Sequence, residues 1–337
     1  MKKSLASLEI GFLVREMAKQ LKNAKISRIY GSGKHIALVF HSASTGKSVA
    51  NLIVPNFLYM SEAKFALETT GFGLKLRKHL ENAKLIGVEQ IKSERIVEFG
   101  FEKEAAYKLF VELFSKGNII LCDGEGKILA AAEHQQWSTR TIKPGFVYKT
   151  PEAKTDIYNL KKEAFEEAIK QTNKESIVKF LAVDLGLSGV YGEEACLRAG
   201  VDKNKKPSEA ADKEKDAVFE AIKGLIEEKP NPAAVLRGAE IIDAVPFELN
   251  VYSGLEKKPF EIYSSAVEFA FPKEEVSETQ SRINNVKRII SEQEARIAEM
   301  EKESEESRRK GELIYENYAK VKSALSKGKY GKVSIEL

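Results

Sequence analysis

Two groups of charged residues are spaced so that they could bind a polyanion. Lys75, Arg77 and Lys78 form a basic run, and such side chains neutralise phosphates in a salt-dependent way. Glu94 stands directly before Arg95, and a carboxylate beside a guanidinium can hydrogen-bond a base edge or a ribose. Two plainer interpretations stay open, a solvated helix face for the basic run and an isolated surface ion pair for the second group.

A glycine-bearing turn is a third candidate for contact with nucleic acid. Gly186, Ser188 and Gly189 lie between two predicted helical segments and resemble the turn of helix-hairpin-helix modules. Such a turn lets backbone N–H groups and the following helix N-terminus approach a phosphate oxygen. An ordinary helix-helix turn explains the same residues, and Glu193 and Glu194 just after it would repel phosphate.

Other patterns are incomplete. The sequence Ser44 to Ser48 resembles the end of a phosphate-binding loop, but His41 stands where that motif needs a glycine. The four histidines lie on separate predicted elements, and Cys122 and Cys196 form no CxxC pair. The sequence therefore predicts no catalytic residue, no metal site and no cofactor.

Length and composition bound the class of protein. A chain of 337 residues with 43% hydrophobic content can bury one or two cores, and its net charge of +4 permits contact with nucleic acid without demanding it. Charged residues interrupt the apolar N-terminal stretch, and no run approaches the roughly 20 apolar residues of a membrane span. We expect a cytoplasmic protein without a membrane segment.

The first 150 residues predict an α+β domain built on a mostly antiparallel sheet. Residues 4–22 have apolar positions at mostly helical spacing, with Ser4 or Ser7 as N-cap, and they carry Glu9. Alternating β-branched and aromatic residues follow between Gly, Ser and Pro, as in consecutive strands. The basic run falls on a short helix whose Leu74, Leu76 and Leu80 should form the buried side. A hairpin turn is expected at 122–126.

Three further segments complete the predicted organisation. Residues 151–235 have a helical pattern and contain the glycine-bearing turn, and residues 236–274 are a mixed connecting region with strand-like character. From about residue 275, apolar residues repeat every three and four over roughly six heptads, which predicts a long helix with a coiled-coil seam. A returning helix, a second copy of the chain or residues outside this sequence have to cover that seam.

These motifs, in this order, resemble the NFACT family of ribosome-associated proteins over nearly the whole chain. The stretches that carry the resemblance are SLEIGFLVRE, GFGLKLRKHLENAKLIGVEQIKSERIVEFGF, VELFSKGNIILCDGEGKILAA, IKPGFVYKTP, LGLSGVYGEEACLRAGVDKNK and KGELIYENY. The resemblance implies an N-terminal domain similar to that of formamidopyrimidine-type DNA glycosylases, then an all-α helix-hairpin-helix domain and a long coiled-coil helix. The lysine-rich composition favours an archaeal member.

Members of this family bind tRNA and the large ribosomal subunit carrying peptidyl-tRNA, and many promote tailing of the stalled chain without mRNA. The resemblance implies the same partners here, and it implies that the ribosome, not this chain, catalyses any elongation. It assigns tRNA engagement to Glu9, Glu94 and Arg95. It also implies a further partner, a separate C-terminal chain with the NFACT-R domain, unless the present chain is a fragment.

Two departures from the family pattern bear on function. Positions 9 and 94 carry Glu where the family usually has Asp, which keeps the charge but lengthens the reach by one methylene, so tailing depends on whether a hydrogen bond tolerates that shift. The returning helix and the NFACT-R domain are not part of this sequence.

Two functions of other classes compete with this interpretation. A glycosylase-like fold could indicate a nucleic-acid-binding protein without a ribosomal role, but the chain begins Met1-Lys2-Lys3 and has no proline nucleophile. An older family name suggests a surface adhesin that binds fibronectin, and we expect neither a signal peptide nor an anchor from this sequence.

Overall fold

The computed structural model describes residues 2–42, 46–62, 68–151, 155–270 and 278–327. The chain divides into two compact units, residues 1–272 and residues 273–337. The predicted subdivision of the first unit near residues 150 and 235 stays a prediction. Among the described residues, no helix is both long and apolar enough to cross a membrane.

A nine-stranded antiparallel sheet forms the centre of the first unit, which confirms the mixed α and β class. Its strand order is β4-β3-β2-β1-β5-β6-β7-β8-β9, so every neighbour in the sheet is also a neighbour in sequence apart from the β1-β5 contact. The strands are β1 Lys25–Ser32, β2 His35–Ser42, β3 Gly46–Ile53, β4 Phe57–Ser61, β5 Lys84–Gln90, β6 Ile96–Glu102, β7 Ala106–Glu112, β8 Asn118–Asp123 and β9 Ile128–Ala131.

The sheet consists of two halves that share one core. β1 and β5 pair through a single residue pair, Lys25 with Lys84, so the sheet is nearly interrupted there. Across the core, the rings of Phe40 in β2 and Phe101 in β6 stack with centroids 6.5 Å apart. Gly117 lies so close to the β3-β4 turn that an added Cβ would be 2.4 Å from a Val54 methyl group. The two halves therefore pack face to face.

Two helices lie on this sheet. The predicted opening helix is confirmed as α1, Ser7–Gln20, but its N-cap is Ala6, so the prediction of Ser4 or Ser7 was wrong. The Ser7 hydroxyl instead donates a hydrogen bond to the Ser93 carbonyl. The predicted basic helix is confirmed as α2, Gly71–Leu80, with Leu76 and Leu80 buried. Leu74 is 51% exposed, because it lies on the face of α2 that points away from β1.

The predicted hairpin turn in residues 122–126 is also confirmed. It joins β8 to β9, and the Asp123 carboxylate accepts hydrogen bonds from the backbone N–H groups of Glu125 and Lys127. An aspartate in this position stabilises a turn through its own side chain. After β9 come two short strands, β10 Gln135–Gln136 and β11 Thr141–Ile142, which pair with each other.

Residues 157–227 contain short helices that pack around aromatic side chains. The ring of Phe165 lies 5.9 Å from that of Phe180 and 5.5 Å from that of Phe219. A short π-helical segment covers Phe180–Asp184, and the α-helices are α3 Lys162–Gln171, α4 Ile177–Lys179, α5 Gly189–Ala199 and α6 Asp212–Glu227. Whether α4 to α6 act as a helix-hairpin-helix module stays a prediction.

The segment that follows closes the edge of the large sheet. It contains a small sheet, β13-β12-β14, and a helix, α7, with bounds β12 Ala233–Arg237, β13 Glu240–Val245, β14 Glu256–Pro259 and α7 Tyr263–Ala270. The Glu16 carboxylate of α1 accepts hydrogen bonds from the first backbone N–H groups of α7, those of Tyr263 and Ser264. The Ser264 hydroxyl in turn accepts from the Met60 N–H on edge strand β4. Covering an edge in this way engages the Met60 donor, which an uncovered edge strand would offer for intermolecular pairing.

The second unit contains the predicted long helix. Helix α8 runs over Glu278–Glu316 and α9 over Tyr318–Lys327. The exposed apolar side chains of α8 include Val286, Ile290, Ile297, Met300 and Ile314, each 47% to 61% exposed. The spacing of these residues agrees with the expected seam, and the coiled coil itself stays a prediction.

Gly11 provides a test of how closely α1 approaches the rest of the domain. A Cβ at this position would lie 2.2 Å from the Tyr158 hydroxyl and 3.1 Å from the Gln90 side-chain oxygen. We expect Gly11→Ala to lower the free energy of unfolding by about 1–3 kcal/mol through overpacking, measured by urea denaturation. The control is Gly224→Ala in α6, where nothing lies within 4 Å and the better helix former should add about 1 kcal/mol. Equal effects of the two substitutions would contradict this packing.

Candidate nucleic-acid interface

A turn between β5 and β6 presents Glu94 and Arg95. Gln90 ends β5 and its side-chain amide donates hydrogen bonds to the Ser7 carbonyl at 3.0 Å and to the Glu94 carbonyl at 2.8 Å. Ser93 fixes the other side of this turn, since its hydroxyl accepts a hydrogen bond from the Ile157 N–H at 3.0 Å. The turn is therefore fixed both to the start of α1 and to the segment that precedes α3.

Arg95 is half-buried, and its Nε donor has no hydrogen-bond partner among the described residues. Its Nε atom is buried, and it makes no hydrogen bond within the described part of the chain. Burial lowers the pKa of the Arg95 guanidinium from its ordinary value, and the Glu9 carboxylate nearby opposes that shift. The group still carries its charge near neutral pH. A guanidinium with an unused Nε donor is suited to a phosphate, a carboxylate or a base edge.

Glu9 lies in the interior of the domain, not on its surface. Its side chain is 2% exposed and forms an ion pair with Lys2 Nζ at 2.6 Å. It also accepts hydrogen bonds from the Tyr191 hydroxyl at 3.0 Å and from the Ala6 N–H at 2.7 Å. Burial raises the pKa of the Glu9 carboxyl, and the ammonium of Lys2 lowers it in part. Glu9 can therefore influence a ligand through the charge it places beside Arg95.

Lys2 and Asp243 complete a buried charged cluster that the sequence analysis missed. The Lys2 ammonium lies 2.6 Å from the Asp243 carboxylate as well as from Glu9, and the Tyr252 hydroxyl donates to the second Asp243 oxygen at 2.6 Å. Burial disfavours the charge on Lys2, but the two carboxylates outweigh it and raise its pKa. More than 200 residues separate Lys2 from Asp243 in sequence, so no local pattern could have revealed the pair.

The glycine-bearing turn lies near this cluster. Tyr191, which donates to Glu9, is in the first turn of α5, two residues after Gly189. Ser188 is the N-cap of α5, yet its hydroxyl makes no capping hydrogen bond. The two acidic residues expected to repel phosphate are neutralised, because Glu193 pairs with Lys203 at 3.0 Å and buried Glu194 pairs with Arg198 at 2.8 Å.

The basic helix lies elsewhere. Lys75 and Lys78 are exposed on α2, and the low pKa of His79, caused by burial and then by Lys78 and Lys103, indicates that the β6-β7 turn adds a further cation there. Arg77 points inward: its Nε donates to the Ile29 carbonyl and its Nη2 to the Thr69 hydroxyl, both at 2.7 Å.

Two groups of predicted residues thus occupy opposite ends of one hairpin. In the β5-β6 pair, Lys84 lies opposite Glu102 and Gln90 lies opposite Val97, so the Arg95 turn is at one end and the Lys103 turn at the other. Six to seven residues of strand separate them, which corresponds to roughly 20 Å. Glu9 acts on the charge of Arg95 and is linked to α5 through Tyr191, whereas Lys75 and Lys78 would have to contact a different part of an extended ligand.

The buried cluster makes a testable prediction about pH. Lys2→Met leaves Glu9 and Asp243 buried without their cation, so we expect the free energy of unfolding at pH 8 to fall by about 3–5 kcal/mol. Loss of Lys2 also raises the pKa of Glu9 further. In the folded variant Glu9 then binds a proton that the unfolded chain does not, and the deficit should shrink as the pH falls to about 5.

Urea denaturation of the wild type and of both lysine variants across this pH range measures the effect. The control is Lys3→Met, because Lys3 is exposed and its loss should change stability by less than about 0.5 kcal/mol. A deficit for Lys2→Met that stays constant with pH would contradict the assignment.

Ser188 gives a second, structural prediction. Its backbone has φ 73° and ψ 166°, a region in which only glycine is at ease and which costs other residues about 1–3 kcal/mol. We expect Ser188→Gly to raise the free energy of unfolding by about 1 kcal/mol, whereas Ser188→Ala should not raise it. Thermal denaturation measures both variants, and a destabilised Ser188→Gly protein would show that the turn has a different conformation.

Comparison with known proteins places this geometry in a family. The sequence model of NFACT N-terminal and middle domains matches residues 7–330. The chain is similar to the archaeal Rqc2 homologue aRqcH of Methanocaldococcus jannaschii, with 31% identity over 97% of this chain and 52% of that protein. It is similar also to ribosome quality control complex subunit 2 of Saccharomyces cerevisiae, with 30% identity over 52% of this chain and 16% of that protein.

A solved structure supports the same fold. The fibrinogen binding protein from Staphylococcus aureus superposes with a TM-score of 0.64 at 20% identity, covering 78% of this chain and 97% of that structure. The chain spans about half the length of its archaeal relative. The predicted likeness to the glycosylase N-terminal domain stays a prediction. From the match over residues 7–330, the chain belongs to the family of NFACT N-terminal and middle domains.

Proposed function

We propose that the chain is a ribosome quality control factor, or the N-terminal half of one, that binds tRNA and the large ribosomal subunit during rescue of stalled nascent chains. Two relatives with names from ribosome quality control support this role. The structural observation that carries the proposal is Arg95, a half-buried cation without a hydrogen-bond partner in the described part of the chain. Its place of action on this proposal is the cytoplasm.

Glu9 and Glu94 take different parts in this proposal. The Glu9 carboxylate has both oxygens engaged by the protein, Oε1 by Lys2 and Tyr191 and Oε2 by the Ala6 N–H. We assign it the task of holding Arg95 in place through its charge. Glu94 is half-buried on the turn itself, and its carboxylate is the one that would contact a base or a ribose.

The remaining candidates would contact the tRNA backbone. Gly186, Ser188 and Gly189 offer the N-terminus of α5, whose partial positive charge favours a phosphate. Lys75 and Lys78 would bind phosphates farther along the molecule, and Arg77 would support them by fixing α2 on β1. Peptide elongation without mRNA, if it occurs with this chain, would use the catalytic centre of the ribosome.

The length of the relatives bears on the partners. The chain spans about half of its archaeal relative, and a separate polypeptide with an NFACT-R domain would be one partner on the ribosome. Peptidyl-tRNA on the large subunit would be the other. The exposed apolar face of α8 is a surface that the separate polypeptide would cover.

A DNA glycosylase is the weaker alternative. Glycosylases of this type attack through the α-amine of an N-terminal proline, and this chain has Lys2 at that position. The side-chain amine of Lys2 could replace it only after losing its proton, because an ammonium is not a nucleophile. The Lys2 ammonium lies 2.6 Å from both Glu9 and Asp243, and its raised pKa keeps it protonated near neutral pH.

An adhesin is favoured by no observation on this chain, since a structural likeness at 20% identity concerns the fold alone.

Loss of the Arg95 side chain tests the proposal. We expect Arg95→Ala to weaken binding of purified tRNA about tenfold, because one charge-assisted contact is lost, and to reduce the salt slope by about one charge. Arg95→Lys should recover only part of the affinity, since a lysine cannot reproduce a two-point contact. Filter binding across a salt series measures both effects.

The matched control is Arg28→Ala. Arg28 is an exposed arginine on β1, away from the turn that carries Arg95, and it pairs with Glu81 at 2.8 Å. Its loss should change tRNA affinity less than twofold. Equal losses for Arg28→Ala and Arg95→Ala would mean that binding depends on net charge, and unchanged binding by Arg95→Ala would overturn the assigned role.

A further inference from the structure

A surface segment outside the Arg95 site has an unusual composition. We call residues 134–151 the strap. It crosses the outer face of the sheet beside β9, where the Ile128 N–H donates to the Phe146 carbonyl at 2.7 Å and the Tyr148 N–H donates to the Gly126 carbonyl at 2.8 Å. Hairpin β10-β11 forms its first half. These backbone hydrogen bonds fix the course of the strap.

Two side chains anchor the strap and three apolar ones face outward. Ile142 and Tyr148 are buried against Phe110, whose ring stacks on that of Tyr148 with centroids 4.1 Å apart. By contrast, Trp137, Phe146 and Val147 are 44%, 51% and 58% exposed. Since the anchors already bury the inner side, folding does not explain why large apolar groups are on the outer side.

Trp137 rests on a fixed cation. The Arg140 guanidinium carbon lies 4.6 Å from the centre of the indole ring. Glu112 holds this guanidinium through two hydrogen bonds of 2.6 Å and 3.0 Å, and the Tyr148 hydroxyl donates to the same carboxylate. Because the Glu112 side chain is 2% exposed and that of Arg140 is 9% exposed, the plane beneath the indole is rigid.

The strap contains no acidic residue. The whole chain nearly balances 54 basic residues against 50 acidic ones, yet residues 134–151 contain Arg140, Lys143 and Lys149 and neither Asp nor Glu. Lys143 and Lys149 are exposed. A rigid exposed aromatic ring among cations, without nearby acidic residues in the same segment, is the composition with which proteins stack unpaired bases and bind their phosphates.

We propose that the strap binds an unpaired nucleotide of single-stranded RNA, with its base stacked on the Trp137 indole and its neighbouring phosphates beside Lys143 and Lys149. This site deepens the proposed function, since it rests on the chain being an RNA-binding protein, and it adds a contact distinct from Arg95. Stacking is tolerant of sequence because every base has a π face. The strap therefore selects unpaired RNA over duplex RNA and does not select a particular base.

Trp137 itself reports on the site, because it is the only tryptophan in the chain. Titration of the full chain with a short single-stranded oligoadenylate should quench the tryptophan fluorescence in a saturable way. An oligomer of the same length with abasic sites, or a duplex, should leave the fluorescence nearly unchanged. If the single-stranded oligomer also leaves the fluorescence unchanged, the proposal is wrong. The strap would then be a candidate surface for binding a protein.

Variants separate stacking from a general effect of charge. Trp137→Ala should lose about tenfold in affinity for the oligomer, measured by anisotropy of a labelled RNA, whereas Trp137→Phe should keep most of it. The control is Tyr315→Ala on α8, an aromatic side chain that is 85% exposed, and its affinity should not change. Equal losses for the Trp137 and Tyr315 variants would contradict a stacking role.

Failure of this site and failure of the proposed function give different results. If tRNA binds in a manner that depends on Arg95 while the fluorescence of Trp137 does not respond to any RNA, the strap proposal is wrong and the proposed function stands. If the oligomer quenches Trp137 but Arg95→Ala leaves tRNA binding unchanged, the strap site stands and the assigned tRNA site is wrong.

Discussion

The pairing of buried charges is the constraint on which this structure depends. Lys2, Glu9 and Asp243 come from the N-terminal segment, from α1 and from β13, and each is removed from solvent. A buried charge without a partner costs several kcal/mol, whereas a paired and hydrogen-bonded one is tolerated. The ammonium of Lys2 therefore holds the small sheet, the opening helix and the chain terminus in one arrangement. Tyr191 adds α5 to the same cluster through its hydroxyl.

This arrangement explains why Arg95 Nε has no hydrogen-bond partner within the described part of the chain. A half-buried guanidinium would normally recruit the nearest carboxylate, but Lys2, Tyr191 and the Ala6 N–H already engage the oxygens of Glu9. Glu9 thus stabilises the charge of Arg95 from a distance and leaves its donors unused. The turn that carries Arg95 is rigid because Gln90 and Ser93 fix it on both sides. In the proposed function, this turn holds Arg95 in position for a ligand. Preorganised donors bind an anion with little loss of conformational entropy.

The two proposed RNA contacts differ in physical character. At Arg95 the contribution is charge and hydrogen bonding, whereas at the strap it is an aromatic face held by the Arg140-Glu112 pair. The first depends on salt in proportion to the charges neutralised, and the second depends on the presence of an unpaired base. A protein that uses both can distinguish a structured RNA with single-stranded loops from a plain polyanion.

Local patterns in the sequence were enough to predict the hairpins of the large sheet, the two helices on it and the long helix α8. They were enough because each pattern concerns residues close in sequence, as in the alternation of β2 or the turn at Asp123. The predicted N-cap of α1 was wrong because the Ser7 hydroxyl donates a hydrogen bond to the Ser93 carbonyl, 86 residues away in sequence. Leu74 was misplaced because α2 contacts the sheet along a narrower stripe than its leucines suggest.

The candidate site was predictable only in part, for the same reason. Arg95 was a candidate from its position beside Glu94, and Glu9 was assigned to the site through a family resemblance, but nothing in their spacing indicated that Glu9 is buried. Lys2 and Asp243 carried no signal, since a lysine near a terminus and an aspartate in a strand are common. The rigidity of Trp137 was likewise hidden, because it depends on Glu112 in β7, 25 residues before it in the sequence.

The most direct test of the central claim is to ask which surface touches tRNA on the ribosome. A photo-crosslinking side chain would be placed at position 94, and at position 213 on the exposed side of α6 as a control, and each protein would be irradiated on large subunits that carry peptidyl-tRNA. Our account predicts a crosslink to tRNA from position 94 and none from position 213. A tRNA crosslink from position 213, or bound tRNA that position 94 does not reach, would contradict it.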